Sequence, residues 1–262
     1  MKGTLVDKRY LDLAGRIGSN LPSLVEEKEL EYYLAHPEEI PLAISRGFII
    51  PDTDQKTTFG LPRLFKAEDT NLTVAITETE KFSTKVLGQS VNLREVFSFP
   101  AELPWRNVLV VFDPRLTNRQ AVDRALKSQK LEVYEGGDVM EYEGSEKEKK
   151  PSLCLIENLT IPTADTLGEE NQKSPDELNE DGRPYLSLRS YALAFGLRFF
   201  TKKDYLDPET WTWFPRNRLS GGGVACGRWY PRRSGVKFGW SDAGLRDPRM
   251  GARLAMPVSL KP

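Results

Sequence analysis

The chain has 262 residues, enough to bury a core without disulfides or metals, and its 39% hydrophobic and 29% charged residues are typical of a globular protein. Two cysteines and one histidine are too few for a disulfide framework or a typical zinc site. The net charge of −1 excludes a uniformly basic or acidic chain.

The first hundred residues predict one helix followed by short strands and loops. Ser23 and Glu26 have the spacing of a capping box, and Pro37 ends the apolar pattern that follows, so a helix is expected near 23–35. We treat residues 1–104 as an N-terminal accessory region. Without an apolar leader or a run of about 18 apolar residues, a cytoplasmic protein is expected, with a virion or cell-surface location left open.

A compact α+β domain is predicted to begin near residue 105. The run NVLVVF at 107–112 is continuous and β-branched, as in a strand covered on both faces. Thr117 and Gln120 are placed to cap the helix that follows. The stretch EVYEGGDVMEYEGSEKEKKP from Glu132 predicts a short alternating strand that gives way to a charged loop, and the run SLCLIENL from Ser152 predicts another strand. The polar stretch 163–181 predicts a long surface loop.

The C-terminal third predicts a helix and then several strands. Ser187 can cap a helix whose aromatic face is more typical of a core than of a cofactor pocket. The run TWTWF at 210–214 alternates as on a half-buried strand, and three glycines at 221–223 precede the strand GVACGRW. The alternation of SGVKFGWSD predicts one inward and one outward set of side chains. The inward set is Val236, Phe238 and Trp240, and the outward set is Lys237, Gly239 and Ser241.

Charge is unevenly distributed along the sequence. Residues 131–181 contain 15 Asp or Glu against 4 Lys, whereas residues 216–262 contain 10 Arg or Lys against 2 Asp. Three explanations fit this pattern: a nucleic-acid surface at the basic end, mutual neutralisation of the two segments in the fold, or two separately solvated faces. The stretches RWYPRRS and DAGLRDPRM combine turn-forming residues with Arg and Tyr, which are common at binding hot spots.

Four motifs in residues 184–262 resemble, in their order, the variable proteins of diversity-generating retroelements. The motifs are PYLSLRSYALAFG from Pro184, ETWTWF from Glu209, GGGVACGRW from Gly221 and the closing GARLA from Gly251. These proteins have a C-type lectin fold of the formylglycine-generating-enzyme type. The resemblance extends more loosely from residue 105, so it implies a C-type lectin-like domain over 105–262 with a variable ligand-binding region near 221–255.

In that family, a reverse transcriptase that is error-prone at adenine rewrites chosen codons while the scaffold stays constant. The resemblance therefore implies a non-enzymatic recognition protein whose hypervariable surface binds a macromolecule, expected to be a protein. No cofactor is expected. No metal is expected either, because Asp242 and Asp247 are the only acids near the expected binding surface. The expected ligand-binding residues are Arg228, Tyr230, Arg232, Arg233, Lys237, Gly239, Ser241, Ala243, Arg246 and Asp247. The expected scaffold residues are Trp229, Val236, Phe238, Trp240, Gly251 and Arg253.

Two other function classes stay open at the level of sequence. A single-stranded nucleic-acid-binding module could use the basic, aromatic C-terminus, with arginines on phosphates and rings on bases. A formylglycine-type oxidase needs a pair of reactive cysteines near the C-terminus, where only Cys226 occurs and Cys154 is distant. Other catalytic motifs are missing: His36 is expected at a helix end, and the adjacent acid pairs at 38–39 and 169–170 belong to charged surface.

Overall fold

The structure is a computed structural model that describes residues 64–141, 150–163, 166–168 and 172–261. The chain divides into two compact units, Met1–Leu64 and Phe65–Pro262, and the second is the one described here. The helix predicted near 23–35, His36 and the acid pairs at 38–39 and 169–170 lie outside the described residues.

The second unit is a mixed α+β structure with several sheets, as the sequence predicts. In the described residues the α-helices are α1 (Leu72–Phe82), α2 (Leu93–Val96), α3 (Asn118–Ala125), α4 (Pro175–Glu180) and α5 (Leu188–Lys202). The strands are β1 (Phe65–Lys66), β2 (Phe97–Ser98), β3 (Glu102–Leu103), β4 (Val108–Asp113), β5 (Glu132–Glu135), β6 (Ser152–Glu157), β7 (Trp211–Arg218), β8 (Val224–Tyr230), β9 (Gly235–Ser241), β10 (Met250–Ala252), β11 (Ala255–Pro257) and β12 (Ser259–Leu260).

The largest sheet has the strand order β10-β7-β8-β9-β5. Its three inner strands pair antiparallel, while the edge strands β10 and β5 each pair parallel to their neighbours. A second sheet, β11-β6-β4, is antiparallel throughout. Two short ladders, β1-β3 and β12-β2, complete the described strands. Helix α5 packs against α3 and β4 and also contacts β8, so it joins the two larger sheets.

The compact unit includes residues that precede position 105, where the sequence predicts the C-terminal domain to start. Strand β4 is buried along its whole length, as its apolar run predicts, and helix α1 packs against it. The Thr79 hydroxyl donates to the Val110 carbonyl at 2.7 Å, and the Asn71 side chain makes two hydrogen bonds with the main chain of Val108. The compact unit therefore begins at Phe65, because residues before 105 satisfy polar groups along β4.

Two predicted helix caps are confirmed, and three helices were missed. Helices α1 and α2 lie where the sequence predicts short strands and loops, so that prediction is wrong for residues 72–82 and 93–96. Thr117 and Gln120 form a capping box at α3, and the Ser187 hydroxyl accepts a hydrogen bond from the Ser190 amide at the start of α5. Helix α4 lies within the stretch 163–181 that the sequence predicts to be a loop. Ser174 and Glu177 form a capping box there too, so the helix signal was present in the sequence.

The aromatic face of α5 lies in the core, as predicted. The Tyr191 ring centroid is 5.2 Å from that of Phe214 on β7 and 6.1 Å from that of Phe238 on β9. Phe195 packs on Trp229, which stacks in turn on Tyr205 with ring centroids 3.8 Å apart. These rings hold one side of the five-stranded sheet against the helix, and we call that side the inner face.

A buried ion pair between Asp207 and Arg253 joins four parts of the unit. Arg253 Nη2 lies 2.6 Å from Asp207 Oδ1, with the two side chains 3% and 0% exposed. The other carboxylate oxygen of Asp207 accepts hydrogen bonds from Tyr191 on α5 at 2.8 Å and Thr212 on β7 at 2.7 Å. Arg253 also donates to the Leu159 carbonyl at 3.1 Å. Each charge is thus both paired and hydrogen-bonded, the arrangement that makes a buried charge tolerable.

Replacing Arg253 by Ala should lower the free energy of unfolding by about 3–5 kcal/mol, because Asp207 would stay buried without its counter-charge. Denaturant unfolding followed by tryptophan fluorescence measures this. Arg249→Ala is the matched control, since the Arg249 side chain is 76% exposed in its ion pair with Asp247 and its loss should leave the midpoint unchanged. Equal midpoints for both variants would contradict the role given to the buried pair.

Candidate ligand-binding surface

The side of the five-stranded sheet opposite α5 carries a row of side chains that crosses the whole sheet. Strand pairing places Met250 beside Trp211, and Arg228 and Tyr134 on either side of Lys237. Since Thr212 pairs with Gly227, Trp211 of β7 lies next to Arg228 of β8. We call the side formed by Trp211, Arg228, Tyr230, Lys237 and Tyr134 the outer face.

Cations and aromatic rings alternate on the outer face. The Arg228 guanidinium carbon is 5.2 Å from the Trp211 ring centroid, and Lys237 Nζ is 5.6 Å from the ring centroids of both Trp211 and Tyr230. Tyr230 packs edge-to-face on Tyr134, and the Arg233 guanidinium lies 5.3 Å from the Tyr134 ring. These distances are within the range of cation–π attraction. The contacts hold the long cationic side chains in place at the surface.

The cations of the outer face form no ion pairs with the acids that the structure describes. Arg228 donates to two main-chain carbonyls, those of Trp229 at 2.8 Å and Pro208 at 2.9 Å. In the part of the chain that the structure describes, no ion pair joins a carboxylate to any of the four cations Arg228, Arg232, Arg233 and Lys237. The outer face therefore presents positive charge beside aromatic rings.

Other C-terminal arginines do pair with the acidic segment. Arg218 binds Asp176 at 2.7 Å, and Arg246 binds Glu177, so two of the three acids of α4 hold residues of the basic segment. Mutual neutralisation, one of the three explanations of the charge pattern, is thus confirmed in part. It applies to the arginines next to α4.

Helix α4 and the loop 242–249 cover the outer side of β7 near its middle. The Asp176 amide donates to the Ala243 carbonyl at 3.1 Å, and the Trp213 indole donates to the Ser241 hydroxyl at 2.9 Å. Residues Thr212 to Pro215 are consequently buried on both sides of the strand. The predicted half-buried alternation of TWTWF is therefore wrong beyond Trp211.

The expected ligand-binding residues differ in exposure. Gly239 lies on the same side as Lys237, as predicted, but it is buried and so not displayed, because it has no side chain and lies among larger neighbours. The others are half-buried or exposed: Arg228, Tyr230, Lys237, Ser241, Ala243 and Asp247 are half-buried, and Arg232, Arg233 and Arg246 are exposed. Arg228, Tyr230, Lys237 and Ser241 lie on the strands β8 and β9. Arg232 and Arg233 lie in the turn that joins these strands, and Ala243, Arg246 and Asp247 lie in the loop after β9.

Trp240 is the one expected scaffold residue for which the predicted burial is wrong. Trp240 is 58% exposed, whereas Trp229, Val236, Phe238, Gly251 and Arg253 are buried as expected. Alternation puts Trp240 on the same side as Phe238, but it lies at the end of β9, past the core. Its indole lies against Gly137 and Gly223, two residues without side chains.

Two residues of the outer face were missed. Trp211 stood in a recognised strand, and its alternation with Thr212 already separated it from the inner face. Tyr134 comes from β5, about a hundred residues before its partner Lys237, and joins the surface through parallel pairing with β9. No local sequence pattern predicts which distant strand β5 pairs with.

The two cysteines are free and lie in different sheets, Cys154 on β6 and Cys226 on β8. Burial raises the pKa of Cys226 to about 12, so its thiol stays protonated at neutral pH. This weighs against a thiolate nucleophile at Cys226.

Searches for similar proteins return nothing: no family model, curated protein or solved structure matches the chain. Among the described residues, none of the helices has the length and apolar character needed to cross a membrane. In the same residues, His, Cys, Asp and Glu nowhere gather in a group of three that could hold a metal ion. Any function must therefore be argued from the geometry of the outer face.

The two faces should respond differently to an added methyl group. A Cβ at Gly239 would meet only Cys226 Sγ, at 4.0 Å, whereas a Cβ at Gly227 would lie 3.1–3.3 Å from the rings of Tyr191, Phe214 and Phe238. Gly239→Ala should leave the free energy of unfolding unchanged or raise it by up to about 1 kcal/mol. Gly227→Ala should lower it by about 1–3 kcal/mol through overpacking. Urea unfolding measures both, and a more damaging change at Gly239 would refute the distinction.

Acid should loosen the attachment of the loop 242–249 to α4. The Ser174 amide, followed by Arg246, holds the pKa of Glu177 below its usual 4.5 in the folded protein. A lowered folded pKa means that the stabilisation is complete above the unfolded pKa and is lost as pH falls through about 5 and below. Glu177→Gln should therefore reduce part of the fall in melting temperature between about pH 5.5 and pH 3.5. This range extends roughly one pH unit either side of the usual glutamate pKa of 4.5.

The control for this comparison is Glu180→Gln, an exposed residue of the same helix. Its pH profile should match that of the parent protein. The remaining slope in Glu177→Gln is expected from Asp181, Asp204 and Asp247, whose pKa values are also lowered in the fold. Identical profiles for all three proteins would contradict the role of Glu177.

Proposed function

We propose that this protein is a non-enzymatic recognition protein of the diversity-generating retroelement type, with a C-type lectin fold. In this proposal the outer face and the loop 242–249 bind a macromolecular ligand, most simply a protein. The observation that carries it is the contrast between a close-packed inner face and an outer face with room for other side chains.

Spare room is what a diversified surface needs. An added Cβ at Gly239 has van der Waals space, and the side chains of Arg232 and Arg233 are exposed beyond the end of the hairpin. On the inner face, by contrast, three rings surround the corresponding space at Gly227. Substitutions on the outer face would therefore change what the surface binds without disturbing the core.

Rigid backbone under the surface supports the same proposal. Arg228, Tyr230 and Lys237 lie on paired strands of a five-stranded sheet, and the ion pair of Asp207 and Arg253 ties that sheet to its surroundings. Binding residues on strands are held more accurately than residues on free loops, so less ordering entropy is lost on association.

The residue types favour a protein ligand. Trp, Tyr and Arg are the residues most enriched at hot spots of protein interfaces, and the outer face consists of these three with one lysine. Their positions are already fixed by mutual cation–π contacts, so binding need not immobilise them anew.

Two combinatorial libraries displayed on yeast would test the proposal. The outer library randomises Tyr230, Arg232, Lys237 and Ser241, and the matched inner library randomises Ala225, Gly227, Val236 and Phe238. Most outer variants should stay folded, measured as resistance to protease, and selection against an unrelated globular protein should yield binders. Most inner variants should lose protease resistance, because they disturb the packed rings.

Two results would count against the proposal. Equal loss of folding in both libraries would mean that the outer face is not free to vary. Binding of a single-stranded oligonucleotide by the parent protein, with an affinity that falls steeply as salt rises, would favour a nucleic-acid module instead. An independent check is the neighbouring DNA, where a near-copy of codons 221–255 differing mainly at adenines should adjoin a reverse transcriptase gene.

A further inference from the structure

The outer face contains a pocket of about 380 Å³ beside the cation–aromatic row. Its walls include Trp211, Trp240 and Met250, and Gly136 and Gly239 lie where side chains would otherwise fill it. The pocket also contains Lys237 and Ser241. It is thus a mainly apolar recess with two polar side chains, which is the usual composition of a site for a small group.

Lys237 gives the pocket its charge. Among the described residues that line the pocket, it is the one cation, and none is Asp or Glu. Its ammonium lies 5.6 Å from the Trp211 ring centroid and 5.6 Å from that of Tyr230, so two rings hold it beside the recess. In the described part of the chain no carboxylate forms an ion pair with it. A ligand with one negative charge would supply that partner.

Ser241 can add a hydrogen bond. Its hydroxyl oxygen accepts from the Trp213 indole at 2.9 Å, which leaves the hydroxyl hydrogen to donate to a ligand. A group that accepts from both Lys237 and Ser241 must carry at least two acceptor sites. A carboxylate has two oxygens and meets this requirement.

The amount of charge distinguishes a carboxylate from a phosphate. One lysine can neutralise a monoanion, whereas a phosphate dianion in a mainly apolar pocket would keep an uncompensated charge. The neighbouring Arg228 does not line the pocket, and its Nε and Nη2 already donate to the carbonyls of Trp229 and Pro208. Among the described residues that line the pocket, none is an arginine that could make the bidentate contact typical of phosphate sites.

We propose that this pocket binds a carboxylate attached to an apolar body, as presented by an acidic side chain next to an aromatic or aliphatic residue of a protein ligand. The carboxylate would lie between Lys237 and Ser241, and the apolar part would lie against Trp211 and Met250. This inference rests on the proposed recognition function and names the chemistry that one part of its surface selects.

Small probes test this without knowledge of the natural ligand. Phenylacetate, phenylacetamide and phenyl phosphate have similar apolar parts but carry one charge, none and about two charges at neutral pH. Binding is followed by NMR through the indole N–H signals of Trp211 and Trp240, assigned with Trp211→Phe and Trp240→Phe, at constant ionic strength. Phenylacetate should bind with a dissociation constant on the order of millimolar, as expected for so few atoms, and at least about tenfold more tightly than phenylacetamide.

Variants separate the charge from the shape of the pocket. Lys237→Met should reduce phenylacetate binding by at least about tenfold, the effect of losing a charge-assisted contact. The matched control is Lys203→Met, since Lys203 also lies over a ring, that of Phe199, but does not line the pocket. Gly239→Val keeps Lys237 and should also abolish binding by filling the recess, so the test does not depend on one variant's folding.

Three results would overturn the inference: no shift of either indole signal with phenylacetate, equal affinities for phenylacetate and phenylacetamide, or tighter binding of phenyl phosphate. The last would point to phosphate and to a nucleic-acid ligand. Failure here with success of the outer-face library would remove the carboxylate pocket and leave the recognition function standing. Failure of the library with carboxylate binding intact would remove the recognition function and leave the carboxylate pocket standing.

Discussion

The ion pair between Asp207 and Arg253 is the constraint on which the arrangement of this unit depends. It brings together the end of the loop before β7, the stretch between β10 and β11, helix α5 through Tyr191 and strand β7 through Thr212. Asp207 has a left-handed φ of 52°, a conformation that its hydrogen bonds hold in place. Because both charges are buried, the four segments must meet correctly or leave a charge unpaired. That requirement fixes the position of the sheet that carries the outer face.

Packing divides the five-stranded sheet into two sides with different tolerance. On the inner side, rings from α5, β7 and β9 fill the space at Gly227, so the geometry there admits little change. On the outer side, side chains contact one another across strands but are open to solvent on one side. The outer face can therefore be ordered and still be replaceable, which are the two properties that a recognition surface on a constant scaffold requires.

Local signals in the sequence predicted local structure well. The run at 107–112, the Thr117 box and the Ser187 cap each identified an element because the responsible contacts lie within a few residues. Apart from the missed helices, prediction failed where distant contacts decide. The burial of Trp213 depends on Ser241 and on helix α4. Trp240 is exposed because it lies at the end of β9, past the packed core. Tyr134 joins the outer face by pairing with a strand about a hundred residues later in the chain. The packing of α1 on β4 is likewise a contact between segments distant in sequence.

The parallel edge strands β5 and β10 also impose an order on how the protein can form. Strand β5 pairs with β9, and β10 pairs with β7, so every hydrogen bond of these edges joins positions far apart along the chain. Such pairings close long loops before they gain any contact energy, which makes them slow steps in folding. During synthesis, β5 has no partner strand until about a hundred further residues have been made. Charged residues such as its Glu132 and Glu135 discourage an unpaired strand from pairing with other chains.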